Sequence, residues 1–223
     1  MRSAYLVLVL TSCISYTMDS QTENPCSKLS LAQAKKEIGH CINLEYSFPL
    51  KQLLQQFGSQ LSEKVKDHYL FNCYARPSIA PLFLALGANA NLHRQCGCKK
   101  AAWSGLLTDS CKYESILHLA AETGNSGVVK ALLEYKAQVN AINAQNETPL
   151  MKASRIRATN FTGSSTRYIE DYIEIIEHLV AAGADATLVN RASKTALQIA
   201  HIEITNPQKR QIIVNCLTCQ KIK

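Results

Sequence analysis

The sequence predicts an all-α fold, a solenoid of stacked helix pairs, and three observations carry the prediction. Ser115-Ile116-Leu117-His118-Leu119-Ala120-Ala121 is answered thirty-three residues later by Thr148-Pro149-Leu150-Met151-Lys152-Ala153-Ser154. Helix-stop doublets, Gly87-Ala88, Lys136-Ala137 and Gly183-Ala184, close the apolar runs that precede them. Apolar residues recur at helical spacing, with almost no strand-like alternation. Self-similarity at such a period means units that cannot bury their apolar face alone and must lean on neighbours.

In chain order, Arg2 precedes a short apolar run from Ala4 to Leu10, followed by small and polar residues. That is the order of a secretory signal, so residues 1–20 are expected to direct export; seven apolar residues are too few to span a bilayer. Two processing routes fit. Leu10-Thr11-Ser12-Cys13 resembles a bacterial lipobox, which would leave a lipid on Cys13; cleavage after Ser15 is the rival. A buried apolar terminal helix is the third reading.

Residues 21–60 are expected to form a helical cap. Leu31, Ala34, Ile38, Cys41 and Ile42 share one helical face, and so do Leu50, Leu53, Leu54, Phe57 and Leu61 after Pro49. The array proper is expected over 61–205, starting with a degenerate unit near 61–87, and residues 206–223 form a C-terminal capping helix with a basic tail. At 223 residues, 47% apolar and 18% charged, the chain suffices for one elongated domain.

Each repeated residue has a physical task. Thr148, Ser115 and Thr195 can accept hydrogen bonds from the open amides of a first helical turn, and Pro149 fits the first helical position. Gly87 and Gly183 stand where a helix ends in a left-handed residue; Lys136 at the same place should be mildly strained. Small Ala120, Ala121, Ala153 and Ala200 let helices approach, and Leu117, Leu132, Leu133, Leu150, Ile176, Leu179 and Leu197 fill the seam. This set of motifs resembles the ankyrin repeat. The family's T-P-L-H-x-A-A is met at Ser115–Ala121, Thr148–Ser154 and Thr195–His201, with substitutions in each. Its second-helix end, V-V-x-x-L-L-x-x-G-A-x-x-N, is met at Val128–Asn140, Ile175–Thr187 and, truncated, Leu82–Asn91, so the likeness covers roughly residues 77–201.

Two insertions break the rhythm. From Gly87 to Lys136 is forty-nine residues, which adds about sixteen near 92–111; from Leu150 to Leu197 is forty-seven, which adds about fourteen near 155–168. The resemblance implies that projecting turns and first helices line a concave binding side. The first insertion therefore belongs to the binding side, as a finger, and the second, rich in Ser, Thr, Asn and Gly, lies at the opposite edge.

Nine cysteines are many for this length. Either cleavage route removes Cys13, and the remaining eight suggest disulfides in an exported chain. Cys111 paired with Cys96 or Cys98 would close the base of the first insertion, worth about 3 kcal/mol if unstrained. Cys216 and Cys219 could form a local disulfide or pack a cap helix. Cys96-x-Cys98 with Cys216-x-x-Cys219 could hold zinc only if brought together, and the array sets them several units apart, so no metal site is assigned.

No catalytic constellation is present: no G-x-S-x-G, no phosphate-cradling glycine loop, no H-E-x-x-H. His118 occupies the family histidine position, where the resemblance implies a structural bond to the turn before its own helix. Glu170, Asp171, Glu174 and Glu177 read as a solvated helical face. The chain is thus expected to be non-catalytic, without a cofactor, and to act as a protein-binding module.

A formal charge of +7, with Arg94, Lys99, Lys100, Lys112, Lys152, Arg191 and Lys194 on or beside the presumed binding side, favours an acidic protein partner or an anionic membrane. The basic residues are too scattered, and too little interleaved with aromatics, for nucleic acid. Trp103, the only tryptophan, lies in the first insertion and is the leading contact candidate; its rival role is to anchor the insertion. The turn tips supply Asn143, Gln145, Asn146, Asn190, Arg191 and Ser193. The expectation is an exported, monomeric bacterial protein in the periplasm or envelope, or secreted. The runners-up are a protective envelope factor tethered through Cys13, a host-directed effector and, last, a thiol or zinc protein.

Overall fold

The structure, a computed structural model, describes residues 29–95, 112–155, 167–204 and 206–218. Its helices are α1 (Leu31–Asn43), α2 (Ser47–Phe57), α3 (Glu63–Asn72), α4 (Ala80–Ala85), α5 (Ile116–Glu122), α6 (Ser126–Glu134), α7 (Pro149–Ser154), α8 (Arg167–Ala181), α9 (Ala196–Glu203) and α10 (Pro207–Thr218). They stack as consecutive pairs. First helices pack as α5 on α7 on α9, and second helices as α4 on α6 on α8 on α10. Leu117, Leu150 and Leu197 hold the same second position of α5, α7 and α9, equivalent rungs as the spacing required.

Local chemistry starts each first helix. Ser115, Thr148 and Thr195 accept from the backbone N–H three residues on, and Pro149 occupies the first helical position of α7. His118 and Gln198 reach back to the cap amides of Ser115 and Thr195, completing reciprocal caps; Met151 cannot, so Thr148 caps one way only. Position 198 also shows how the stack is finished. It follows buried His118 and Met151, but there Gln198 faces solvent, as does His201, which replaces buried Ser154.

Gly87, Lys136 and Gly183 end α4, α6 and α8 with φ of 84°, 63° and 90°. In each turn this residue's N–H bonds a carbonyl three back, and the following alanine's N–H bonds one five back, as in Leu132 O from Ala137 N at 2.9 Å. The strain expected at Lys136 is therefore present, because a side chain in this region costs about 1–2 kcal/mol. Asparagines then link successive turns. Asn91 Oδ1 accepts from Gln138 N (2.7 Å) while Nδ2 donates to Lys136 O; Asn140 does the same to Asp185 N (2.9 Å) and Gly183 O. Thr187 takes this place in the last turn, where Asp185 serves its own loop.

The α1–α2 pair caps the other end. Ala34, Ile38, Cys41, Ile42, Leu50, Leu53, Leu54, Phe57 and Leu61, the two faces read from spacing, are all buried. Tyr69 Oη of α3 donates to Lys35 O of α1 at 2.8 Å. The α3–α4 pair is the degenerate first unit. No helix among the described residues is long and apolar enough to cross a membrane.

The first insertion leaves and returns through an antiparallel ribbon, β1 (His93–Gln95) and β2 (Lys112–Ser115), with Arg94 opposite Glu114 and a bulge before Gln95. Strands this short leave no alternation to read. The cysteine expectation needs a correction: Cys73 is a free, fully buried thiol whose burial pushes its pKa up to about 12, so the eight candidates do not form a complete paired set. Cys216 packs partly buried against the core. Cys13, Cys96, Cys98, Cys111 and Cys219 lie outside the described residues, as does the second insertion's interior over 156–166.

Candidate protein-binding surface

Two successive turn tips, Asn143–Glu147 and Asn190–Lys194, have one construction. Asn143 N donates to Glu147 O (3.0 Å), and its Oδ1 accepts from Gln145 N and Glu147 N, both at 2.9 Å. Asn190 repeats this with Lys194 O and with the amides of Ala192 and Lys194. Asn146 and Ser193 take the left-handed position, each with φ 56°. Arg191 N donates to Gln145 O at 2.9 Å and ties tip to tip.

This bonding divides the tip candidates. Asn143 is buried and spends its side chain on its own turn, its Nδ2 on Glu147 Oε2; Asn190 is half-buried and does the same for the next turn. Gln145, Asn146, Arg191 and Ser193 are exposed. Two residues that the sequence reading missed stand beside them. Ile142 and Val189 hold equivalent positions just before Asn143 and Asn190 and are 56% and 50% exposed, an apolar pair along the tip row. His93 has the same place at the base of the first insertion and is exposed too. The signal was available in the register, since large apolar residues at an outward tip position twice over have no core to serve.

Behind the tips, the first helices carry an ion relay. Lys152 Nζ lies 2.7 Å from Glu114, 3.5 Å from Glu122 and 3.6 Å from Glu147. Arg155 continues it, at 2.6 Å from Glu147 and 2.8 Å from Glu203. The relay joins β2 and α5, the Asn143–Glu147 tip, α7 and α9, and so three consecutive units. Burial alone would raise the Glu147 carboxyl, but hydrogen bonds from Arg155 and Asn143 and the charge of Lys152 hold it below its ordinary value. Burial would likewise lower Lys152, and its three carboxylates keep it above. The expectation for Lys152 as a free basic contact is corrected here. Lys152 is neutralised, and among the described residues this wall sets four carboxylates against two cations.

His118 is wholly buried. Nδ1 accepts from Ser115 N at 3.3 Å and meets Ser115 Oγ at 2.7 Å, while Nε2 lies 2.8 Å from Glu147 O. A carbonyl can only accept and an amide can only donate, so the proton sits on Nε2. The ring therefore bonds its own turn, as the resemblance implied, and also bridges to the next unit's tip. Burial lowers its pKa to about 4 against the pull of the Glu147 carbonyl, and the neutral ring is a bracket. Glu170, Glu174 and Glu177 lie exposed on α8, away from the relay, with Asp171 half-buried.

Of the other candidates, Arg94 lies in β1 and Lys112 in β2, and Lys194 is half-buried. Trp103, Lys99 and Lys100 lie outside the described residues. Residues 73–161 match the family model described as ankyrin repeats, in three copies. The match ends within the second insertion, and the α9–α10 pair beyond it continues the same stacking. Ankyrin repeats indicate a protein–protein interaction module.

Proposed function

We propose that the row of tips, with the first-helix wall behind it, holds a protein partner by rigid surface complementarity, without turnover or cofactor. One observation supports this most. The side-chain oxygens of Asn143 and Asn190 are spent in building the tips, which leaves Ile142, Val189, Gln145, Asn146, Arg191 and Ser193 displayed on a fixed frame. A pre-ordered frame lowers the ordering cost of association. Apolar Ile142 and Val189 supply contact area, and the polar neighbours supply register. Acidic patches on the partner would meet Arg191 at the tips, whereas the relay behind them favours neutral or basic groups. Capture from a lysate by the full chain, repeated with Arg191→Glu and with Trp103→Ala, tests the face. Equal recovery of the same partner by all three forms would place binding elsewhere.

We infer export from the Arg2 and Ala4–Leu10 pattern, and tethering through Cys13 from its lipobox-like setting. Radioactive palmitate should label the chain and not Cys13→Ala; absent or retained label ends the tethered form. The last described pair of the ribbon is Gln95 opposite Lys112, and Cys96 and Cys111 adjoin these two residues in sequence. This supports Cys96–Cys111 over Cys98–Cys111 as the bridge at the finger base. Peptide mapping of the non-reduced chain distinguishes the two, and free thiols at all three positions would discard both.

A further inference from the structure

The joint between α1 and α2 has no part in the tip row. There six consecutive residues, Asn43 to Phe48, face solvent, with Leu44 44%, Tyr46 46% and Phe48 51% exposed. They sit on a firm turn. Glu45 takes the left-handed position at φ 58°, Glu45 N bonds Ile42 O, and Tyr46 N bonds Cys41 O at 2.9 Å. A non-glycine residue thus holds the left-handed position between the exposed side chains of Leu44 and Tyr46. Glu45 is paired with Arg76 at 3.4 Å, whereas exposed Lys36 of α1 and Lys51 of α2 have no ion pair among the described residues.

We propose that this knuckle inserts into the surface of an anionic lipid bilayer. Size argues against a second copy. Three such side chains offer roughly 300 Å² of apolar and aromatic surface, and a stable dimer needs about 800 Å² from each partner. A bilayer interface, by contrast, takes Leu, Tyr and Phe individually, the aromatic rings at headgroup level, and needs no matching groove. Charge agrees: the knuckle's only carboxylate is occupied by Arg76, and Lys36 and Lys51 remain to meet lipid phosphates and carboxylates. The knuckle also lies on the first described helix pair, the part of the stack nearest in sequence to Cys13. The inference does not depend on the protein-binding proposal, nor on Cys13 being acylated.

The test is co-sedimentation of the unlipidated full chain with vesicles of phosphatidylcholine alone or mixed with phosphatidylserine. The mixed vesicles should retain the chain, high salt should release it, and Leu44→Ser/Tyr46→Ser/Phe48→Ser should weaken partitioning at least about tenfold, since each exposed apolar side chain contributes a separate transfer term. All three side chains are solvent-facing, so an unchanged melting curve should accompany the loss. Lys36→Glu/Lys51→Glu should lose only the preference for anionic vesicles. No sedimentation, or equal sedimentation of the triple variant, would overturn the proposal. A dimer in light scattering that the triple variant dissolves, without vesicle binding, would also overturn it and assign the knuckle to a second copy.

Discussion

Replacing Lys152 by Met should uncouple the middle of the stack. Lys152 is 10% exposed in its side chain and lies within 4 Å of Glu114, Glu122 and Glu147; it shares Glu147 with Arg155. Methionine keeps the stem's packing and removes the charge, leaving half-buried Glu114 and Glu122 facing buried Glu147. Breaking a buried pair by removing one partner costs about 3–5 kcal/mol, and the residual solvent access of Glu114 and Glu122 brings the expectation to about 2–3 kcal/mol. Urea unfolding followed by circular dichroism should show a lower midpoint. Stability in a stacked array is a sum of nearest-neighbour terms, so the transition should also broaden as the units either side part company. Adding Glu114→Gln should recover about 1 kcal/mol of the loss, by relieving like-charge repulsion. A change below about 0.5 kcal/mol, within the range of an ordinary surface substitution, would refute the relay as a link between units.

Lys136→Gly should stabilise the chain by up to about 1 kcal/mol, by removing left-handed strain at φ 63°, measured as a raised urea midpoint. His118 should give a pH dependence of known sign. Its folded-state pKa of about 4 lies below the ordinary 6.5, so the unfolded chain takes the proton first. Its contribution is fully present above about 6.5 and is lost as pH falls toward 4, by about 3 kcal/mol at most. Lowered Glu147 adds a loss in the same direction below the ordinary carboxylate range. Urea midpoints from neutral to mildly acidic pH should show the slope, and His118→Gln, though less stable, should flatten its upper part. Cys73 should resist a thiol reagent in the native chain and react at once in urea, since burial both shields it and holds it protonated.

How much of this was legible depends on whether the cause is local. Caps, stops and seam residues act through neighbours three or four positions away, so Thr148, Gly183 and Leu150 declare their roles in any one copy. The two cap helices were readable because Ile38 and Leu50 belong to faces with helical spacing. The relay was not. Lys152 reads as a solubilising charge until Glu114, Glu122 and Glu147, up to thirty-eight residues away, are folded around it. The tips were read by residue type, and type misled at Asn143, whose polar side chain serves its own turn, and hid Ile142, whose exposure is visible only once the turn's register is known. Glu45 gave no sign of a left-handed residue, because glycine usually marks that position.

Site-specific photocrosslinking in the presence of the partner tests the binding face most directly. A photoreactive residue at Gln145 on the tip row should capture the partner, and one at Glu177 on the outer face of α8 should not. Capture at 177 with none at 145 would contradict the assignment of the tips as the binding surface.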